Sequence, residues 1–473
     1  MIIYFRYIAF CMHILLIIQG FVMKKPEFIL ISISILLLNN IFWALEDFYK
    51  RFTFFFFQLV FFVFILGRPT YSILTGNRWF FGGYNELKFV LFATWLTLIT
   101  LFAGAVFFSE YFKRKNIIGT NYKINSEFDK KYLYLLEKII FICFIFSWVF
   151  NIYSGIERIV FSTNHSYSQY FVSFSSNMPY ITRLISASMP FLLCIYLALR
   201  PNKKKSFIVL LMYLISNLPY MIVGTRNPIV LAGMFFVSYY LLRNNFEKGK
   251  WIGKKEKLVF FISIPATMIF MFSYAYIRSG LNVPTISFFS LLAFIYQQGT
   301  TFDVLSMGYR CLPSLPNNHN YVFGGIIDYY KHGTIAQKYF NAIPLDSSNG
   351  HQMGLISNSF AHNMSYIMHP GYLNGNGWGT SYILEVYSDF GYIGLFVFSF
   401  LLAGILIGLI HFFNKNIYLS VIILYILMNI FFMPRDSALS CVNQLFQLVF
   451  LAVIAFFIFL NLVVKKILKT KGV

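Results

Sequence analysis

Apolar runs of about 20 residues recur along the whole chain, separated by short polar stretches. They fall near 4–22, 28–45, 52–67, 87–109, 133–152, 181–199, 206–223, 228–242, 258–277, 383–411, 417–433 and 440–464. A run of that length is what one helix needs to cross a bilayer. Inside hydrocarbon every backbone N–H and C=O must be bonded within its own segment, so the runs read as helices. The alternating segments of about ten residues that a membrane β-barrel would use do not occur. The pattern predicts an all-α, polytopic integral membrane protein with about 12 transmembrane helices and one large external loop. It divides the chain into nine helices over 1–277, the loop with an interfacial helix over 278–382, and three helices with a basic tail over 383–473. The first run is followed by "FVMKKPEF" and not by a small-residue cleavage site, so it is read as a span and not as a signal peptide.

Composition agrees. The chain is 58% hydrophobic and 12% charged, where soluble domains carry about 25% charged residues. Cys11, Cys143, Cys194, Cys311 and Cys441 are scattered, form no CxxC pair and read as small packing residues. The net charge of +21 invites a nucleic-acid partner, but the basic residues sit in short loops between spans. The positive-inside rule accounts for them better, and no nucleic acid is expected as a partner. With twelve spans, 25 of the 38 lysines and arginines fall in alternate connections and at the two ends. That side is cytoplasmic, which places the chain in the cytoplasmic membrane with both termini inside.

The two basic residue types divide unequally. Only five of the cytoplasmic basic residues are arginine, whereas eight of the thirteen outer ones are: Arg68, Arg78, Arg158, Arg183, Arg226, Arg278, Arg310 and Arg435. Arginine presents a planar fork that matches phosphate or carboxylate and keeps its charge when half-buried. An arginine-rich outer face suits a protein that handles a membrane-bound anion. Snorkelling of long side chains is the plainer account of the same residues.

Two of these arginines sit in tight bends. In "MIVGTRNPIVLAG" (221–233), Thr225 or Asn227 is expected to cap the helix that Pro228 opens, so that its free N–H groups converge with Arg226 into an anion site. "FFMPRDSALS" (431–440) mirrors it with Arg435, and Asp436 or Ser437 as a helix cap.

The 278–382 loop is too long for a connector. Its segment 285–305 is apolar but interrupted by Gln297, Gln298 and Gly299, and reads as a helix at or dipping into the interface. The remainder is rich in Tyr, Asn, Gly, Ser and His, a mixture that suits carbohydrate and also suits the headgroup region. His319, His332, His351, His362 and His369 fit no compact metal motif, so no metal site is expected. His362 is the leading general-base candidate. Glu385 and Asp389, four residues apart, share one helical face at the outer end of a span. Carboxylates at such depth are costly and point to function, although acidic residues also favour helix starts.

Taken together, "YMIVGTRNPIVLAG", "AFIYQQGTTFDVL", "SNSFAHNMSYIMHPGYLNGNGWGTSYILEVYSDFGYIGLFVFSF" and "PRDSAL" resemble the Wzy family of O-antigen and capsular repeat-unit polymerases. The likeness covers roughly 150–460 in order and character. It implies a membrane glycosyltransferase that moves a growing glycan from undecaprenyl pyrophosphate onto the non-reducing end of a lipid-linked repeat unit, at the outer face. It also implies outer arginines that hold pyrophosphate, no metal, no nucleotide sugar and no other cofactor. Besides undecaprenyl-pyrophosphate-linked oligosaccharides and membrane lipid, the implied partners are a chain-length regulator and a flippase of the same pathway. Some members carry Arg-x10-Gly motifs, and no arginine here has glycine at that spacing.

The chemistry can be built from these residues. Arg226, Arg278 and Arg435 are the candidates for neutralising the pyrophosphate leaving group. His362 is the first choice for the base that activates the acceptor hydroxyl, with Glu385 or Asp389 second. An O-antigen ligase-like transferase and a lipid-linked oligosaccharide flippase are the rivals. A flippase would spread charges along cavity-lining helices and show internal repeats, whereas here charges gather at helix ends and no repeat is found.

Overall fold

The computed structural model describes residues 2–115, 127–247, 251–278, 282–283, 288–316, 319–346 and 349–470. The described residues are helical, with no strand among them. Eleven of their helices are long and apolar enough to cross a membrane. The expected run at 228–242 is the helix Asn227–Phe246, which is 20 residues long but is not among those eleven. The last span begins later than expected, at Leu448 and not near 440. Between them, Asn443–Phe446 forms only a short 3₁₀ turn.

The chain forms two compact units: one of 1–117, 252–411 and 430–440, the other of 118–251, 412–429 and 441–473. In the first, the span Phe48–Leu74 contains a π-helical turn, Phe62–Leu66, immediately before Gly67 and Arg68. Such turns are rare and widen a helix locally. Phe54, Phe57, Phe61, Ile65 and Leu66 of this span are fully buried. The Thr53 hydroxyl donates to the Leu406 carbonyl at 2.6 Å, tying the span to the helix Tyr382–Phe412.

That second helix is not the straight span its hydrophobicity predicts. It kinks at Gly391, whose φ of 64° and ψ of −160° lie in a region open in practice only to glycine. The segment before the kink starts with five buried residues in succession, Tyr382 to Val386, so it is packed on all sides. It carries Glu385 and Asp389.

The 285–305 region is two helices, Phe288–Gln298 and Thr301–Cys311, eleven residues each. Each is about 16 Å long, roughly half of a hydrocarbon core, and neither spans it. They break at Gly299, where the chain passes close to Arg68 and leaves room only for glycine. A Cβ on Gly299 would lie 2.5 Å from the Arg68 backbone nitrogen. The rest of the loop is folded by side chain-to-backbone bonds. The Asp328 carboxylate accepts the Asn358 N–H at 2.9 Å, and the Asn349 amide donates to the carbonyls of Tyr372 (3.0 Å) and Asn376 (2.8 Å).

The second unit is built on Glu127–Asn164, Tyr180–Ala198, Asn227–Phe246 and Leu448–Thr470. The helix Lys203–Ser216 stops at Asn217 and resumes as Leu218–Val223. Its one nearly buried arginine, Arg243, is 3% exposed and donates to the Pro201 carbonyl at 3.1 Å and the Tyr239 hydroxyl at 2.7 Å. Glu247 pairs with it four residues on.

Candidate functional site

The turn that follows the 3₁₀ segment Ile430–Arg435 is held from outside itself. Glu385, only 1% exposed, accepts the Ala438 backbone N–H through Oε2 at 2.9 Å. The Ser437 side chain faces the same carboxylate. Asp436 Oδ1 accepts the Ser437 N–H at 2.8 Å. Burial pushes the Asp436 carboxyl up to about 6.

Arg435 leaves this turn toward the break between the two short helices. Its Nη1 donates to the Gln298 carbonyl at 3.1 Å and to Gln298 Oε1 at 3.4 Å, and its guanidinium lies 5.4 Å from the Phe64 ring. One turn beyond Phe64, Arg68 reaches the same break. Its Nη1 pairs with Asp303 at 2.8 Å, its Nε donates to the Tyr296 carbonyl at 3.1 Å, and it lies 4.8 Å from the Tyr296 ring. Burial raises the Asp303 carboxyl, and the bond from Arg68 draws it back down. Two arginines from distant parts of the chain therefore flank the Gln298–Gly299 turn.

Asp389 points elsewhere, although it shares a face with Glu385. It accepts the Val322 N–H at 2.8 Å. His362 stands on the helix Phe360–Met368, with Nδ1 and the Tyr372 hydroxyl sharing a hydrogen bond at 2.9 Å. Burial holds its imidazole below the ordinary value, against a smaller upward pull from Asp328. Other loop histidines serve structure: His332 Nδ1 lies 2.8 Å from the Ile343 carbonyl, and His369 Nδ1 accepts the Gly371 N–H at 3.1 Å. No group of three or more His, Cys, Asp or Glu among the described residues could hold a metal ion.

Arg226 belongs to the other unit, half-buried at the N-terminal boundary of Asn227–Phe246. The expected capping is corrected here. Neither Thr225 nor Asn227 caps this helix: Arg226 is the boundary residue and Asn227 is already helical. Gly224 takes φ +110° and closes the preceding helix, and the Thr225 N–H and hydroxyl both turn back to the Tyr220 carbonyl, at 2.9 and 2.8 Å. The carbonyls at that helix end need donors, and Thr225 supplies them. Asp436 and Ser437 also cap no helix, since turns follow them and the next long helix starts at Leu448. Arg278 ends the helix Lys254–Arg278, and its side chain lies outside the described residues.

The structure thus joins Glu385 to the Arg435 turn and gives Asp389 and His362 separate partners. It adds Arg68, Gln298 and Asp303, which the sequence reading did not select. Arg68 was visible only as one of the outer arginines, and the break only as "QQG".

No curated protein and no solved structure matches this chain. The family model described as O-antigen polysaccharide polymerase Wzy matches residues 2–471, nearly the whole length. The all-helical membrane architecture and the 2–471 match lead to one assignment: the chain belongs to the O-antigen polysaccharide polymerase Wzy family.

Proposed function

We propose that the chain extends a glycan at the outer face of the cytoplasmic membrane, transferring it from undecaprenyl pyrophosphate onto a lipid-linked repeat unit. The observation that carries this reading is the family match over residues 2–471. The arginine-bearing turns supply its chemistry. An acceptor hydroxyl oxygen attacks the anomeric carbon of the donor as the bond to the pyrophosphate oxygen breaks. Undecaprenyl pyrophosphate leaves with the bonding electrons, and the configuration inverts. Arg435, Arg226 and Arg278 each supply a guanidinium suited to neutralise the charge of a pyrophosphate. In this reading arginines do that work in place of a metal ion.

His362 takes the acceptor proton. Its lowered basicity leaves it neutral at pH 7, the form that can accept one. Glu385 has a different role, since its carboxylate is engaged with the Ala438 amide. It positions the turn that bears Arg435. A flippase delivers the repeat units, and a chain-length regulator sets when growth stops.

Lipid extracts from a strain lacking the chain test this. Single repeat units on undecaprenyl pyrophosphate should accumulate on the outer leaflet. Accumulation on the inner leaflet would identify a flippase instead, and long lipid-linked chains with no final acceptor would identify a ligase.

A further inference from the structure

Just before the Gly391 kink, the helix borders an open cavity of ≈ 300 Å³. His319, Asn320, Tyr321, Ser388, Asp389 and Phe390 line it, and no lysine or arginine among the described residues does. Its wall is mainly polar, unlike the apolar lining that most small-molecule pockets have.

Asp389, Asn320 and Tyr321 are held in place. The Val322 N–H fixes Asp389 at 2.8 Å, and the Tyr321 N–H bonds the same carboxylate. A carboxylate has about four acceptor positions, so it retains capacity for a ligand. Asn320 Oδ1 accepts the Phe323 N–H at 3.1 Å, which orients its amide. Tyr321 is 4% exposed, packs edge-on to Phe360 at 5.0 Å, and lies near-parallel to His319 at 6.0 Å. Its hydroxyl is buried and has no hydrogen-bond partner among the described residues. A hydroxyl without accessible surface does not open on the cavity, so the phenol packs the wall and does not reach a ligand. Phe390, 50% exposed, presents a ring at the rim.

A fixed carboxylate, an oriented amide and an exposed ring form a set that matches one ligand chemistry. A pyranose offers hydroxyls for the first two and a C–H face for the ring. With Asp389 present and no cation in the lining, a uronic or other acidic sugar is disfavoured. We propose that this cavity is a saccharide subsite. It holds one uncharged pyranose of the lipid-linked glycan, with two adjacent hydroxyls on Asp389 and a third polar group on the Asn320 amide. The identity of the glycan rests on the polymerase reading above. Among the described residues, none of the arginines assigned to the pyrophosphate lines this cavity, so sugar recognition and leaving-group stabilisation are assigned to different residues.

The probe is the one-repeat-unit glycan that mild acid releases from the lipid-linked pool of a strain lacking the chain. It is titrated onto the full-length protein in nanodiscs, with binding read by saturation-transfer NMR. Wild type should bind it saturably. Asp389→Asn keeps an oxygen for the Val322 N–H, so it should fold as well as wild type yet bind about tenfold more weakly or worse, because a charge-assisted bond is lost. Tyr321→Phe should bind as wild type does, because its hydroxyl does not reach the cavity. No saturable binding by wild type, or equal binding by wild type and Asp389→Asn, overturns the subsite. A deletion strain with no surplus of single repeat units overturns the polymerase reading itself, and the subsite with it. Equal binding with the surplus present sinks the subsite alone.

Discussion

Two turns look alike in the sequence and are built in opposite ways. Gly224–Pro228 and Pro434–Ser437 each place one arginine after a long apolar segment. The first is shaped by its own backbone. Gly224 is left-handed, Thr225 bonds back to Tyr220, and the following helix starts at Asn227 with Pro228 in its first turn. The second is shaped by side chains from far away in sequence. Glu385 holds the Ala438 amide, and Gln298 receives the Arg435 guanidinium on two oxygens. A turn closed by its own backbone fixes where a helix starts. A turn braced by a buried carboxylate also fixes where its arginine points, because the brace and the guanidinium contact lie within one packed unit.

The largest expected effects separate the two arginines. Arg435→Ala should reduce the rate of chain growth by about 10²- to 10³-fold, the usual loss when a preorganised charge-stabilising donor is removed. Arg435→Lys should do nearly as badly. The fork donates to both the carbonyl and the side chain of Gln298, and an ammonium on a flexible stem cannot reproduce that orientation. Arg226→Lys should be milder than Arg435→Lys, since its turn is closed by Gly224 and by the Thr225 bonds to Tyr220, which do not involve the guanidinium. Rates measured in membranes with extracted lipid-linked units decide it. Equal activity of Arg435→Lys and wild type would remove the contrast.

A smaller effect tests the brace. Glu385→Ala leaves the buried Ala438 N–H without its acceptor, at a cost of about 1–3 kcal/mol. It should lower both melting temperature and chain growth. Glu385→Gln keeps an oxygen for that N–H and should retain most of each. A Gln variant with wild-type melting and no chain growth would make Glu385 a chemical group, and its bracing role would be wrong.

How far these features could be read from the chain follows from what each depends on. Helices and their approximate ends depend on local hydrophobicity, and most of the expected runs lie within observed helices. The break at Gly299 was foreshadowed by two glutamines and a glycine inside an apolar run. The Gly391 kink was not, because hydropathy carries no information about φ, and "FGYIGLFVF" reads as uninterrupted span. The late start of the last helix was missed because Cys441, Val442, Leu445 and Phe446 are apolar enough to extend the run, although the chain there turns. Partnerships were the least legible. Arg68 and Asp303 are 235 residues apart, and Glu385 and Ala438 are 53 apart. Residue type marked Arg435 and Glu385 as unusual, but only folding shows that the carboxylate supports the turn and that its neighbour on the same face, Asp389, serves a different cavity.

The smallest effect concerns pH and only one of the two turns. Asp436 is a half-buried carboxyl, desolvated by its surroundings and pushed from its ordinary 3.8 up to about 6. A raised carboxyl binds its proton more tightly in the folded chain than in the unfolded one. The contribution of this carboxyl to stability is therefore greatest below 3.8, falls as pH rises through about 6, and then levels off. Asp436→Asn keeps an Oδ1 for the Ser437 N–H and carries no charge to desolvate. Above pH 6 the variant should be more stable than wild type by about 1–3 kcal/mol, and below pH 4 the two should melt together. The Arg226 turn holds no residue that titrates in this range, so Asn227→Ala should shift melting by the same amount at pH 4 and pH 7.5. A pH-independent shift for Asp436→Asn would mean that the carboxyl is charged in the fold. The Pro434–Ser437 turn would then have to be stabilised by a cation that pairs with Asp436, and not by the Glu385 brace alone.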